Sequence, residues 1–321
     1  MIDPVAELGP WGGLERWLAQ PDVTEVMVNA GRDVWIERHG RLELVGQMRS
    51  STVLAVVEQM LMPLGRRLDR MHPTVDARLP DGARLCAVIE PIAVDGPCLT
   101  IRRGDERRLT LDAFALPEVA GLATELVRRR CNVIISGATS SGKTTLLRAL
   151  AHHVGPDQRL VTLEDVAELR LDHRHVVRLE TRDRTPDGVG EVTLADLVRA
   201  ALRMRPDRLV VGEVRGAEAL HLLHALNTGH DGSLSTVHAN SALDALDRLA
   251  SLVLLGAPSW PPGEAHRLVS RAVDVVVHTE RTARGGRRIA EIAEVVEGER
   301  VALVPLATHD RVVGVLRRGR P

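Results

Sequence analysis

Tyrosine is absent from the 321 residues, phenylalanine occurs once and tryptophan four times. A chain with so few rings builds its core from Leu, Val, Ile and Ala, and it lacks the stacking platforms that hold single-stranded nucleic acid. Lysine is almost missing as well. Lys143 is the only one, and the other 41 basic residues are arginine. An Arg-rich composition explains most of that bias, which makes the surviving lysine informative: it marks a place that needs a compact ammonium and not a planar fork. No sign of charge predominates, since 42 basic and 43 acidic side chains leave −1. That excludes polyanion binding driven by bulk charge and confines any basic site to a local patch. The three cysteines, Cys86, Cys98 and Cys131, have no CxxC spacing and form no even framework. Disulfide scaffolds and thiolate zinc are therefore not expected, and a reducing compartment is. No apolar run approaches the roughly 18 residues of a membrane span. MIDPVAELGP also lacks the basic and apolar regions of an export signal. The expected location is the cytoplasm, with at most peripheral membrane contact.

What is present fits two globular domains. The mass is 35.0 kDa, 44% of residues are hydrophobic, 26% are charged and mean hydropathy is −0.03. Residues 1–108 read as a smaller α/β domain with a mostly antiparallel sheet. VTEVMVN, DVWIER and RLELV alternate as a meander turned at Ala30-Gly31 and His39-Gly40, and Ser50 or Ser51 caps a helix running to about Met62. Two more strands follow at 84–89 and 99–103, and the polar run 103–108 is the expected linker. Over 109–321, helices alternate with short, wholly apolar runs, the pattern of a parallel-rich sheet covered on both faces. A helix is expected at 117–130, a strand at 132–136, a helix at 143–153, and strands at 159–163 and 209–211. The last fifty residues alternate as strands turned at Gly285-Gly286 and Glu297-Gly298.

The strongest motif is Gly137-Ala138-Thr139-Ser140-Ser141-Gly142-Lys143-Thr144-Thr145, which satisfies G-x-x-x-x-G-K-[ST] between an expected strand and an expected helix. Glycines let successive backbone N–H groups converge on phosphate oxygens, and the helix N-terminus adds its positive dipole end. Lys143 can reach the β and γ phosphates, and the Thr144 hydroxyl can ligate Mg²⁺. ATP with Mg²⁺ is the expected ligand. A second signal, Leu209-Val210-Val211-Gly212-Glu213, is an apolar strand ending in an acid that can polarise water or hold Mg²⁺ through water. The Asp that often precedes such a Glu is Gly212 here, so Mg²⁺ needs another acidic neighbour. The run Val161-Thr162-Leu163-Glu164-Asp165-Val166-Ala167-Glu168 ends in candidates.

With these motifs the chain resembles the secretion-type ATPases, the hexameric RecA-like motors of type II and type IV secretion, pilus assembly and conjugation. GATSSGKTT, TLEDVAEL, LVVGEVRG and TGHDGSLSTVHAN would be their Walker A, Asp box, Walker B and His box, in that order. VTEVMVN, DARLPDGARL and PIAVDGPCLTIRR resemble most the tight-adherence (Flp) pilus branch. The likeness covers about Leu14 to Gly298 and implies a RecA-like P-loop core preceded by the smaller α/β domain. It implies Glu213 as general base or water-orienting acid, with Glu164 and Glu168 assisting Mg²⁺ and the water. His238 and His230 would sense the γ-phosphate, while Arg84 and Arg102 would reach the phosphates from the N-terminal domain, with Arg103 the alternative to Arg102. It further implies a homo-hexamer acting on an inner-membrane platform protein, with no nucleic acid partner expected. Competing readings are a nucleic-acid translocase on the same core and a non-catalytic nucleotide-gated scaffold. Neither a four-cysteine zinc module nor a long N-terminal extension is present, so a minimal motor is expected. His221 and His224 lie three apart on a helix without an obvious third ligand. Arg199, Arg203, Arg205, Arg208 and Arg215 read individually as solvated, although at least one of them could face a neighbouring subunit's nucleotide.

Overall fold

The computed structural model describes residues 9, 11–103, 109–182, 184, 189–282, 286–297 and 301–317. Residues 104–108 of the expected linker, and Gly285 and Gly298 of two expected turns, lie outside them. The chain divides into two compact units, Met1–Arg107 and Arg108–Pro321.

In the first unit a short helix α1 (Glu15–Leu18) precedes β1 (Val23–Asn29), β2 (Asp33–Arg38), β3 (Arg41–Gln47), α2 (Ser50–Leu61), β4 (Thr74–Arg78), β5 (Arg84–Val88) and β6 (Cys98–Arg102). The strands form one antiparallel sheet in the order β3-β2-β1-β6-β5-β4. Alternation sends Val26, Val28, Val34, Ile36, Leu85, Ala87, Leu99 and Ile101 into a core shared with Val53, Val56, Val57 and Met60 of α2. Two details depart from expectation. The N-cap of α2 is Arg49, which makes no side-chain cap. Ser50 is already helical, and its hydroxyl donates instead to the Gly31 carbonyl at 3.3 Å, tying the helix to the first meander turn. β4 was not anticipated, because only Val75 and Ala77 of its five residues are apolar and buried.

In the second unit the strands are β7 (Val133–Gly137), β8 (Leu160–Glu164), β9 (Val176–Glu180), β10 (Arg208–Val211), β11 (Leu234–His238), β12 (Val275–Arg281), β13 (Arg287–Val296), β14 (Ala302–Thr308) and β15 (Arg311–Val312). Their order is β15-β14-β13-β12-β7-β11-β10-β8-β9. From β12 to β9 all neighbours are parallel, and β13 to β15 extend the sheet antiparallel. Helices α3 (Pro117–Arg128) and α4 (Lys143–Ala151) cover one face, sharing a core with Val133, Ile135, Val210 and Leu234. Helices α5 (Leu194–Ala201), α6 (Glu218–Leu226), α7 (Ala242–Gly256) and α8 (Pro262–Ala272) cover the other, with Ile134, Val161, Leu209 and Val211. Burial on both faces explains why these strands read as unbroken apolar runs.

Arg208, expected in solvent, is 1% exposed. Its guanidinium donates to the Val127 and Gly232 carbonyls at 2.8 and 3.1 Å and to Gln158 Oε1 at 2.6 Å, and burial pushes its pKa down to about 10. Helix α5 starts on a capping box in which the Thr193 hydroxyl accepts from the Asp196 N–H and the Asp196 carboxylate accepts from the Thr193 N–H. Thr193→Ala should lower stability by about 1 kcal/mol, read as an earlier urea midpoint at unchanged slope.

Candidate nucleotide site

Parallel register brings four strand ends to one edge. Gly137 closes β7, Glu164 closes β8, Val211 of β10 lies two residues before Glu213, and His238 closes β11 directly beside Gly137. The carboxyl edge of such a sheet is where ligands bind in open α/β folds.

The loop between β7 and α4 is shaped for close approach. A Cβ on Gly137 would collide with the Thr279 carbonyl oxygen and the Ser141 hydroxyl. Gly142 has φ 99°, a left-handed conformation that L side chains rarely adopt, and caps α4 with its backbone. Ala138, Thr139 and Ser140 are exposed, Ser141 is buried, and Lys143, Thr144 and Thr145 are half-buried on the first turn of α4. Lys143 Nζ donates to the carbonyls of Gly137 and Ala138, both at 3.0 Å, which holds the ammonium over the loop. Burial lowers its pKa, the Glu213 charge opposes that shift and the Arg215 charge adds to it.

The acids are held in different ways. Glu164 is 4% exposed. Its Oε1 accepts from the N–H groups of Glu168 and Leu169 at 2.9 and 2.8 Å, whereas Oε2 is buried without a hydrogen-bond partner. Burial raises its pKa to about 7 against the pull of those two N–H groups and of Arg178. The missing Asp now has a steric reason: a Cβ at Gly212 would stand 3.0 Å from Glu164 Cγ, so the Glu164 side chain occupies the space beside that position. Half-buried Glu213 contacts Arg215, and the carbonyl before it is fixed by the Thr236 hydroxyl at 2.6 Å. Glu168 is exposed beside Glu164, whose pKa its charge raises further.

Not every candidate joins this group. His230 precedes β11 at the end opposite His238, where its Nδ1 lies 3.2 Å from the Ala225 carbonyl oxygen. The length of β11 separates it from the P-loop of its own chain, about 13 Å at strand rise, so it does not join the strand ends at that loop. Arg84 and Arg102 lie in the first unit as cross-strand neighbours on the face opposite its core. Arg84 is bound to Asp76 at 2.8 and 2.9 Å, and Arg102 is exposed. Arg103 donates to the Gln20 carbonyl, which leaves Arg102 as the one presented beside Arg84. His224 packs edge-on against Trp260. Sequence reasoning missed two neighbours of the loop, His278 and Arg287, and took a third, Arg215, as a solvated side chain. Arg215 follows Glu213 by two, His278 Nδ1 lies 2.9 Å from the Ser136 hydroxyl next to the loop, and Arg287 touches Gly142 and Thr145. Only Arg215 stood inside a motif.

A P-loop strand separated by one strand from the strand that leads to the acidic Glu213, in a parallel sheet flanked by helices, is the RecA-like nucleoside-triphosphatase arrangement. This chain has that core preceded by a smaller α/β unit. It belongs to the Type II/IV secretion system protein family, whose family model matches residues 11–297, and thus to the secretion ATPase superfamily. A Mycobacterium tuberculosis protein named for conjugal transfer is 41% identical over 322 residues, covering 95% of this chain and 90% of that one. The type IV secretion system protein PtlH of Bordetella pertussis is 34% identical over 317 residues, covering 87% and 92%. Among solved structures, the VirB11 ATPase of the Brucella suis type IV secretion system shares 29% identity at a TM-score of 0.51, covering 88% and 92%. The pilus retraction motor PilT with bound ADP has the same fold at a TM-score of 0.64 and 19% identity, covering 94% and 83%. Among the described residues no helix is long and apolar enough to cross a membrane.

Proposed function

We propose that the protein hydrolyses ATP to ADP and phosphate. As a homo-hexameric ring at the cytoplasmic face of the membrane, it would turn that reaction into work on an inner-membrane platform protein of a secretion, conjugation or pilus system. The observation that carries the reading is the placement of the chain's single lysine at the head of α4, with Glu213, Glu164 and His238 on adjacent strand ends.

Lys143 and the loop N–H groups bind and orient the terminal phosphates, so much of the barrier is met by positioning and charge. Glu213 accepts a proton from the attacking water as its oxygen bonds to the γ-phosphorus and the bond to the bridging oxygen breaks. His238, beside Gly137, reads the presence of the γ-phosphate.

The donors at hand suit Mg²⁺. The Thr144 hydroxyl and the unpartnered Glu164 Oε2 are hard oxygens, with the Glu168 carboxylate nearby. Among the described residues no group of three or more His, Cys, Asp or Glu could hold a metal. When bound, Mg²⁺ supplies neutralisation of charge on the β and γ oxygens.

Phosphate release by purified protein, with and without platform protein in vesicles and with and without DNA, tests this reading. Magnesium-dependent turnover that responds to the platform protein and ignores DNA is expected. Stimulation by DNA alone would favour a translocase, and folded protein that takes up neither ATP nor ADP in calorimetry would overturn the assignment.

A further inference from the structure

Arg287 belongs to no motif, yet the sheet delivers it to the phosphate loop. It opens β13 in register with Arg281 of β12, and two residues on, the Ile289 N–H donates to the Phe114 carbonyl at 2.8 Å. Its neighbour Arg288 is bound to Glu280 at 2.7 Å. The aliphatic stem of Arg287 packs on Gly142, where a Cβ would stand 2.6 Å from its Cδ and 3.2 Å from Phe114 Cε1. Its Nη1 donates to Thr145 Oγ1 at 3.2 Å. A stem seated on the loop and a strand held on both sides give the guanidinium a defined place.

That place lies at one end of the phosphate track. The first intrahelical bond of α4 runs from the Leu146 N–H to the Gly142 carbonyl at 2.8 Å, so the N–H groups of residues 143–145 have no acceptor within the helix. In a P-loop the lysine takes the β and γ phosphates while the backbone N–H groups cradle the α and β phosphates. Passing from Lys143 to Thr145 therefore leads away from the terminal phosphate, toward the α-phosphate and ribose. Arg287 stands at the Thr145 end.

We propose that Arg287 is a nucleotide-binding residue, whose planar fork bridges the Thr145 hydroxyl and the α-phosphate on the nucleoside side of the loop. The inference rests on the loop being a nucleoside-triphosphate site, as proposed above. Its role differs from that of Lys143, which takes the β and γ phosphates: Arg287 distinguishes a chain of phosphates that reaches the α position from a single phosphate held by the loop and Lys143.

Calorimetry of the full chain with ADP, ATP and inorganic phosphate tests it, comparing wild type with Arg287→Gln. ADP and ATP affinity should fall about 10- to 100-fold, the scale of a charged hydrogen bond, while inorganic phosphate binding stays within about twofold of wild type. Equal ADP affinity in both proteins overturns the inference. So does a parallel loss for ADP and inorganic phosphate, which would make Arg287 a support of loop shape. Wild type that is folded but binds neither nucleotide overturns the nucleotide-site reading itself, and is told apart because it needs no variant. If the Gln variant does not fold, Arg287→Lys is read by the same comparison, with a loss of at least about threefold for ADP expected because charge remains and the fork does not.

Discussion

Glu213→Gln should lower phosphate release by about 10²- to 10⁴-fold, the range for removal of a positioned acid or base, while ATP affinity changes only a few-fold. The substitution keeps size and shape and removes the ability to take a proton. Gln can still contact Arg215, and the peptide before it remains fixed by the Thr236 hydroxyl, so the strand end should hold its geometry. One side effect is predictable. The Glu213 charge offsets part of the burial cost of charged Lys143, so ATP binding has to be measured beside turnover. A variant that binds ATP and releases phosphate at the wild-type rate would remove Glu213 from the chemistry. The same variant separates a motor from a nucleotide-gated scaffold, because a scaffold would keep its cellular phenotype while ATP stays bound.

Glu164→Gln should stabilise the protein at pH 8 and have little effect near pH 4. The carboxyl titrates near 7 in the folded state, against 4.5 as its ordinary value, so folding takes up a proton between those limits. Stability is therefore lost as pH rises from about 4.5 to about 7 and stays low above that, because the ionised group is then buried with one oxygen unpartnered. The shift corresponds to roughly 3 kcal/mol, an upper figure that relaxation of the site reduces. Gln retains an oxygen for the N–H groups of Glu168 and Leu169 and carries no charge. Thermal melts without metal or nucleotide, at pH 8 and pH 4, should show a gain of several degrees at the higher pH only. A gain of equal size at both pH values would show that ionisation is not its cause. Turnover should fall in the same variant if Glu164 assists Mg²⁺, so stability and activity would move in opposite directions.

The sheet order explains why these acids were only partly legible. GxxxxGK[ST] after an apolar run is a local pattern, and the structure has β7, the loop and α4 in that sequence. Glu213 and Glu164 were readable as acids at the ends of apolar strands. Their adjacency was not, because it depends on β8 pairing with β10. Gly212 looked like a missing Asp until the Glu164 side chain was seen beside it. His230 and His238 share one motif, but β11 runs between them and puts them at opposite edges of the sheet. β9 escaped notice because its residues alternate between half-buried and exposed and are flanked by charge.

The amino-acid sequence by itself determined that the second unit is a parallel-rich α/β fold with a phosphate loop at Lys143, because apolar runs, glycines and the loop spacing act over a few residues. Only the tertiary structure decided that Arg208 is buried among carbonyls, that Arg102 and not Arg103 is presented beside Arg84, and that Arg287 sits on the loop. Those outcomes depend on which strands pair and in what register, and pairing between residues far apart in the chain leaves no local signature in a strand that carries only alternation.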